Sequence, residues 1–161
     1  MEILITAFKG TSAELLVQDS TYTILLLPSD KKKDAEKLLS ALKNEDYDFI
    51  FSFGQRPNIK NKVHIETTAR KGTDSKDTDL DVTRLQNLFV QNEIAAKISH
   101  NAGTSYCNSI YYNGLTHIAE QGLKTKMVFV HIPFIQGIKD MESFRKGVLK
   151  TIKEFVEIMQ K

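Results

Sequence analysis

The chain has 161 residues, 41% of them apolar and 26% charged, and a formal net charge of +2. That length suits one domain, residues 1–161, with one substantial core. So small a charge gives no ground for a nucleic-acid partner. No apolar run approaches the roughly 20 residues that span a bilayer, and no signal-peptide pattern opens the chain, so no membrane is expected. A single cysteine excludes an internal disulfide framework and suits a reducing cytoplasm.

In chain order, the apolar runs predict strands at 2–6, 21–27, 48–53, 62–67, 94–98 and 126–132. Helical spacing predicts helices at 30–44, 80–92, 106–121 and 139–160. Lys31, Lys32 and Lys33 form the solvated first turn of the first helix, whose core face is Ala35, Leu38, Leu39 and Leu42. The stretch Lys71–Asp79 is polar throughout and reads as a mobile loop. In the last helix Phe144, Val148, Thr151, Phe155 and Met159 make a core stripe. Strands alternating with helices predict a three-layer α/β/α sandwich around a mostly parallel mixed sheet. In such sheets functional groups gather beyond the carboxyl ends of the strands, and Cys107 and His131 are both expected there. No phosphate-loop motif and no repeat is present, and His100 and Cys107 lack the further ligands a zinc site needs, so no metal is expected.

The chemistry concentrates around Cys107. Asn101-Ala102-Gly103 is a turn signal, with Gly103 free to take a conformation that side chains disfavour. Cys107, Ile110, Tyr111, Gly114, Leu115 and Ile118 then recur at helical spacing, placing the thiol in a first helical turn. The unpaired N–H groups and macrodipole there favour an anion, so its pKa is expected to fall. Taken alone, a single cysteine is as readily a buried structural residue. His131 stands in the apolar run Met127–Pro133, which is too short for a helix and reads as a strand. Burying an imidazole unpaired costs roughly 1–3 kcal/mol, so it needs a partner, and a thiol is one whose proton it can take.

These segments resemble a known family. Ile98-Ser-His-Asn-Ala-Gly-Thr-Ser-Tyr-Cys107-Asn-Ser-Ile-Tyr-Tyr112 is similar to the nucleophile segment of the pyroglutamyl peptidase I family, and Phe129-Val-His131-Ile-Pro133 to its histidine segment. The resemblance implies a Cys-His-Glu triad on a compact α/β fold, a homotetramer, no cofactor, and removal of an N-terminal pyroglutamate from peptides. Glu66, with Ala69 three residues on, matches the family's glutamate segment and would orient His131. Read from the sequence alone, Glu66 would by default be a solvent-facing residue, and His64 would pack or point to water.

The resemblance is dense from Ile94 to Ile135, moderate from Asp48 to Ala69, and thin elsewhere. Of the two phenylalanines in the family's opening loop, Phe8 matches the first and the second has no counterpart. A further ring-contacting aromatic, two positions before the cysteine, falls on Ser105. The segment Arg56–Lys62 replaces a double glycine and an arginine, and Lys76 stands where the family has an arginine beyond its glutamate.

The expected reaction is acyl transfer: Cys107 attacks, His131 takes and later returns the proton, and Glu66 orients it. N–H groups at the start of the 106–121 helix, with Lys76 in support, would hold the oxyanion. Phe8 would wall the pocket and Gln55 would bind the substrate's polar edge. The expected partners are a peptide with a blocked N-terminus and further copies of the chain. The same triad acting on another amide, or a non-catalytic binding or oligomeric relative, are the alternatives. A redox sensor would want a second cysteine.

Overall fold

The computed structural model describes residues 1–161. Strands β1 (Ile3–Phe8), β2 (Thr23–Leu27), β3 (Phe49–Arg56), β4 (Lys62–Glu66), β7 (Ala95–Ser99) and β8 (Lys126–Pro133) form one sheet in the order β2-β1-β3-β8-β4-β7. Between β4 and β7 the chain makes a separate antiparallel hairpin, β5 (Thr68–Lys71) with β6 (Asp74–Asp77). The helices are α1 (Ser12–Val17), α2 (Lys31–Asn44), α3 (Val82–Gln91), α4 (Tyr106–Glu120) and α5 (Met141–Met159).

The sheet is mostly parallel, with a reversal in the middle. β2, β1, β3 and β8 run one way; β4 is antiparallel to β8, and β7 is parallel to β4. Odd-numbered residues of the central strands β1, β3 and β4, with the even-numbered Val128, Val130 and Ile132 of β8, pack against α1, α3 and α5. The opposite face meets α2 and α4 through Leu4, Phe8, Ile50, Met127 and Phe129. A sheet covered on both faces needs apolar residues at successive positions, which is how β1, β3 and β8 read.

Two elements differ from the sequence expectation. α1 has six residues, too short to show helical periodicity, and forms because Thr11 caps it by accepting from the Ala13 N–H while Ala13, Leu16 and Val17 are buried. The polar stretch expected to be a mobile loop is mostly the β5–β6 hairpin. α4 holds it in place: Asn108 accepts from the Arg70 N–H at 2.9 Å and donates to the Arg70 carbonyl at 2.7 Å. Tyr112 also donates to Asp74.

Candidate active site

Side chains alternate between the two faces of a strand. Phe8, Gly54, Arg56, His64, Glu66 and His131 therefore share the face covered by α2 and α4. Register then brings them together: Gly54 of β3 pairs with His131 of β8, and His64 of β4 pairs with His131 from the other side. Glu66 lies opposite Phe129, one step along the same face.

Cys107 and His131 share a cavity at the carboxyl ends of three strands, lined by Phe8 of β1, Gln55 and Arg56 of β3 and His131 of β8. The strand that precedes Cys107 does not end at that edge. Because β7 runs opposite to β8, the two carboxyl ends point to opposite edges of the sheet. The thiol comes to the face from above instead. After β7 the chain turns at Gly103, whose φ of +87° is one that glycine adopts without strain, and α4 then lies over the sheet. A Cβ placed on Gly54 would fall 2.5 Å from the Cys107 sulfur. The sulfur thus sits directly over Gly54, in the β3 position beside His131. Cys107 and His131 open onto one cavity of about 450 Å³.

Glu66 is fully buried. Its Oε2 lies 2.8 Å from Nδ1 of His131 and accepts from Nη1 of Arg56 at 3.0 Å. The same Nη1 donates to the carbonyl of Asn101 at 2.9 Å, which fastens the loop before Cys107 to the carboxylate. From α4, the Tyr111 hydroxyl donates to the Glu66 carbonyl at 2.8 Å. Oε1 has no hydrogen-bond partner in the chain. A carboxylate taken out of water needs such partners, and far from facing solvent, Glu66 is among the most enclosed polar residues of the protein.

Arg56 went unmarked in the sequence because its segment reads as a departure from the family pattern. It reaches the site because β3 continues past residue 53 to Arg56, keeping the even-numbered positions on the site face. The signal was available in the alternation of Ile50, Ser52, Gly54 and Arg56. His64 is half-buried with Nε2 unpartnered. Burial, with Lys62 adding to it, lowers its pKa and keeps it neutral.

Burial also reverses the expectation for the thiol. The Cys107 pKa is pushed up to about 12 by desolvation, and the nearby charge of Arg56 offsets only part of this. The helix start does not dominate, because removing a thiolate from water costs more than one helical turn of N–H groups returns. Cys107 rests as a neutral thiol. α4 is, however, the one α-helix of the five with no side-chain hydrogen bond capping its N-terminus, so N–H groups of its first turn remain free beside the sulfur.

The other candidate residues divide. Phe8 and Gln55 line the cavity. Oε1 of Gln55 accepts from the Ser12 N–H at 3.1 Å, which leaves its Nε2 without a partner in the chain. Lys76 does not line the cavity; it stands on β6, with Nζ 3.8 Å from Oδ2 of Asp74. Ser105 lines the cavity without an aromatic ring, but two neighbours supply one each. Tyr106 lies with its ring centre 6.4 Å from that of Phe8, and Phe134, just past β8, closes another side. No group of His, Cys, Asp and Glu side chains is arranged to hold a metal ion. No helix is long and apolar enough to cross a membrane.

A family model described as pyroglutamyl peptidase matches residues 60–148, more than half of the chain. A pyrrolidone-carboxylate peptidase of Fusobacterium nucleatum is 27% identical over 89% of this chain and 79% of its own length. One from Brachyspira hyodysenteriae is 26% identical over 74% of this chain and 70% of its own. Among solved structures, a mutant pyrrolidone carboxyl peptidase from Pyrococcus furiosus superposes with a TM-score of 0.85 at 20% identity, covering 99% of this chain and 100% of that one. The pyrrolidone carboxyl peptidase of Thermococcus litoralis gives 0.81 at 18% identity, over 99% and 94%. At those identities the structural likeness is one of fold.

Proposed function

Because this chain belongs to the pyroglutamyl peptidase family, we propose that it is a cysteine peptidase releasing an N-terminal pyroglutamyl group from peptides by Cys107-His131-Glu66 acyl transfer. The observation that carries the reading is the 2.8 Å contact of His131 Nδ1 with the buried Glu66 carboxylate, beside a thiol on the same cavity. Nδ1–H donates to Glu66, so the lone pair of Nε2 is left for the thiol.

In the proposed sequence, the Cys107 sulfur attacks the carbonyl carbon that follows the pyroglutamyl ring. The S–H proton passes to Nε2 of His131 as the C–S bond forms, since a thiol with a pKa near 12 is not ionised beforehand. First-turn N–H groups of α4 receive the developing oxyanion, each worth about 2.7–4 kcal/mol in such sites. His131 then protonates the leaving amine as the C–N bond breaks, and water, deprotonated by the same imidazole, hydrolyses the thioester. Glu66 holds the imidazole's tautomer and stabilises the imidazolium, and Arg56 anchors Glu66. Lys76 takes no part in this scheme.

The apolar ring packs among Phe8, Tyr106 and Phe134, and the Gln55 amide meets its lactam edge. The reading carries with it one domain and a cytoplasmic homo-oligomer: the cysteine is free, and Phe134 and Ile135 leave apolar surface uncovered. The test compares release of one fluorogenic amine from pyroglutamyl and prolyl amides. Faster turnover of the pyroglutamyl compound supports the reading; equal or reversed rates direct the same chemistry to another amide.

A further inference from the structure

Beside the cavity that holds Cys107 lies a second pocket, of about 600 Å³, and the two share the rim Gly103-Thr104-Ser105. Lys31 of α2 and Arg70 and Lys71 of β5 line it, and no Asp or Glu does. None of these three cations takes part in the chain's ion pairs. The position of Arg70 is set by the fold: Asn108 pins its backbone through two hydrogen bonds, and its guanidinium donates to the His100 carbonyl. Three unpaired positive charges around one opening repel one another, and an anion placed among them relieves that repulsion.

We propose that this pocket is the subsite for the substrate beyond the scissile bond, and that it selects a carboxylate there. The inference rests on Cys107 being the nucleophile for an N-terminal pyroglutamyl group. With the ring among the aromatic side chains and its carbonyl at the sulfur, the departing chain leaves across residues 103–105, which immediately precede α4. Two or three extended residues, about 7–10 Å, carry a carboxylate into reach of the pocket. That carboxylate is either the free C-terminus of a short peptide or an acidic side chain, and both present the same chemistry to Lys and Arg.

The experiment measures kcat/KM for pyroglutamyl tripeptides with an acid or an amide C-terminus, and for amidated ones with Glu or Gln at the third position. A small fluorogenic pyroglutamyl amide, too short to enter the pocket, is the reference. The acid and the Glu peptide are each cleaved about five-fold better than their neutral partners at low salt, and the advantage shrinks as salt is raised. The larger of the two ratios identifies the source of the carboxylate. Lys31→Glu combined with Lys71→Glu inverts the preference and leaves the fluorogenic amide unaffected. Equal rates for charged and neutral peptides, with the reference amide turned over, would overturn the subsite and spare the catalytic reading. If the reference amide is not turned over, the catalytic reading fails, and the pocket is judged by binding alone. Ala-Ala-Glu should then shift the NMR resonances of Arg70, Lys71 and Asn108, where Ala-Ala-Gln amide does not; no shift from either would overturn it.

Discussion

Gly54 lies directly beneath the sulfur of Cys107: a single methyl group added to the glycine would fall 2.5 Å from Sγ and 2.7 Å from the ring of Phe129. The ring and the thiol are both held by packing, so neither has an easy retreat. Gly54→Ala should lower kcat by about 10²-fold, by lifting the nucleophile out of line with His131. It should also cost about 1–3 kcal/mol of stability through overpacking. Parallel measurement of turnover and urea midpoint checks both. An alanine variant with unchanged turnover would mean that the sulfur does not react from this position.

The Glu66 carboxylate lies 2.8 Å from Nδ1 of His131, and in the proposed triad this contact sets the imidazole's tautomer. Glu66→Gln keeps the shape and removes the charge. It should lower kcat/KM by about 10²–10⁴-fold while the circular dichroism spectrum stays native. A loss of less than ten-fold would remove Glu66 from the mechanism.

Arg56 is the carboxylate's one cationic side-chain partner in an ion pair other than His131. Arg56→Met should destabilise the fold by about 3 kcal/mol, because it leaves a buried charge short of a partner. Arg56→Lys should recover only part of that loss. Nη1 bridges Glu66 and the Asn101 carbonyl in one planar geometry that an ammonium on a flexible stem does not reproduce. Urea denaturation of the three proteins, with the m-value compared, is the check.

Burial raises the Cys107 pKa from an ordinary 9.0 to about 12, so the folded protein keeps a proton that the unfolded chain loses. The sign follows: this contribution to stability is complete below about pH 9 and is lost as the pH rises toward 12. Wild type should therefore lose thermal stability more steeply than Cys107→Ala above pH 9, where tyrosines and lysines titrate in both. Iodoacetamide alkylation of the free enzyme should be slow at pH 7 and still rising at pH 10. A plateau of rapid alkylation near neutrality would indicate a thiolate already ionised at rest.

The candidate residues Cys107 and His131 stood out in the sequence because each sits in a short motif, and the strand at 126–132 and the helix at 106–121 were placed within a residue or two. A mixed sheet was expected, but which strands reverse was not legible. Nothing in a short strand segment tells which way the strand points, so β7 was expected to end at the same edge as β8, and it ends at the opposite one. Arg56 was hidden because the strand was expected to end at residue 53 and the segment from Arg56 on reads as a departure from the family pattern, whereas the strand runs on to the arginine. The thiol's pKa was misjudged because a local helix-start argument has no term for burial. Tyr106 and Phe134 entered the cavity from positions where the family pattern had directed attention to other residues.

The central claim is that Cys107 is the nucleophile of a pyroglutamyl peptidase. Release of a fluorogenic amine from a pyroglutamyl amide, measured for wild type and for Cys107→Ala at matched folded concentration, tests it most directly. The account predicts turnover by wild type and none above background for the variant. Turnover retained in Cys107→Ala, or absent from well-folded wild type, would contradict it.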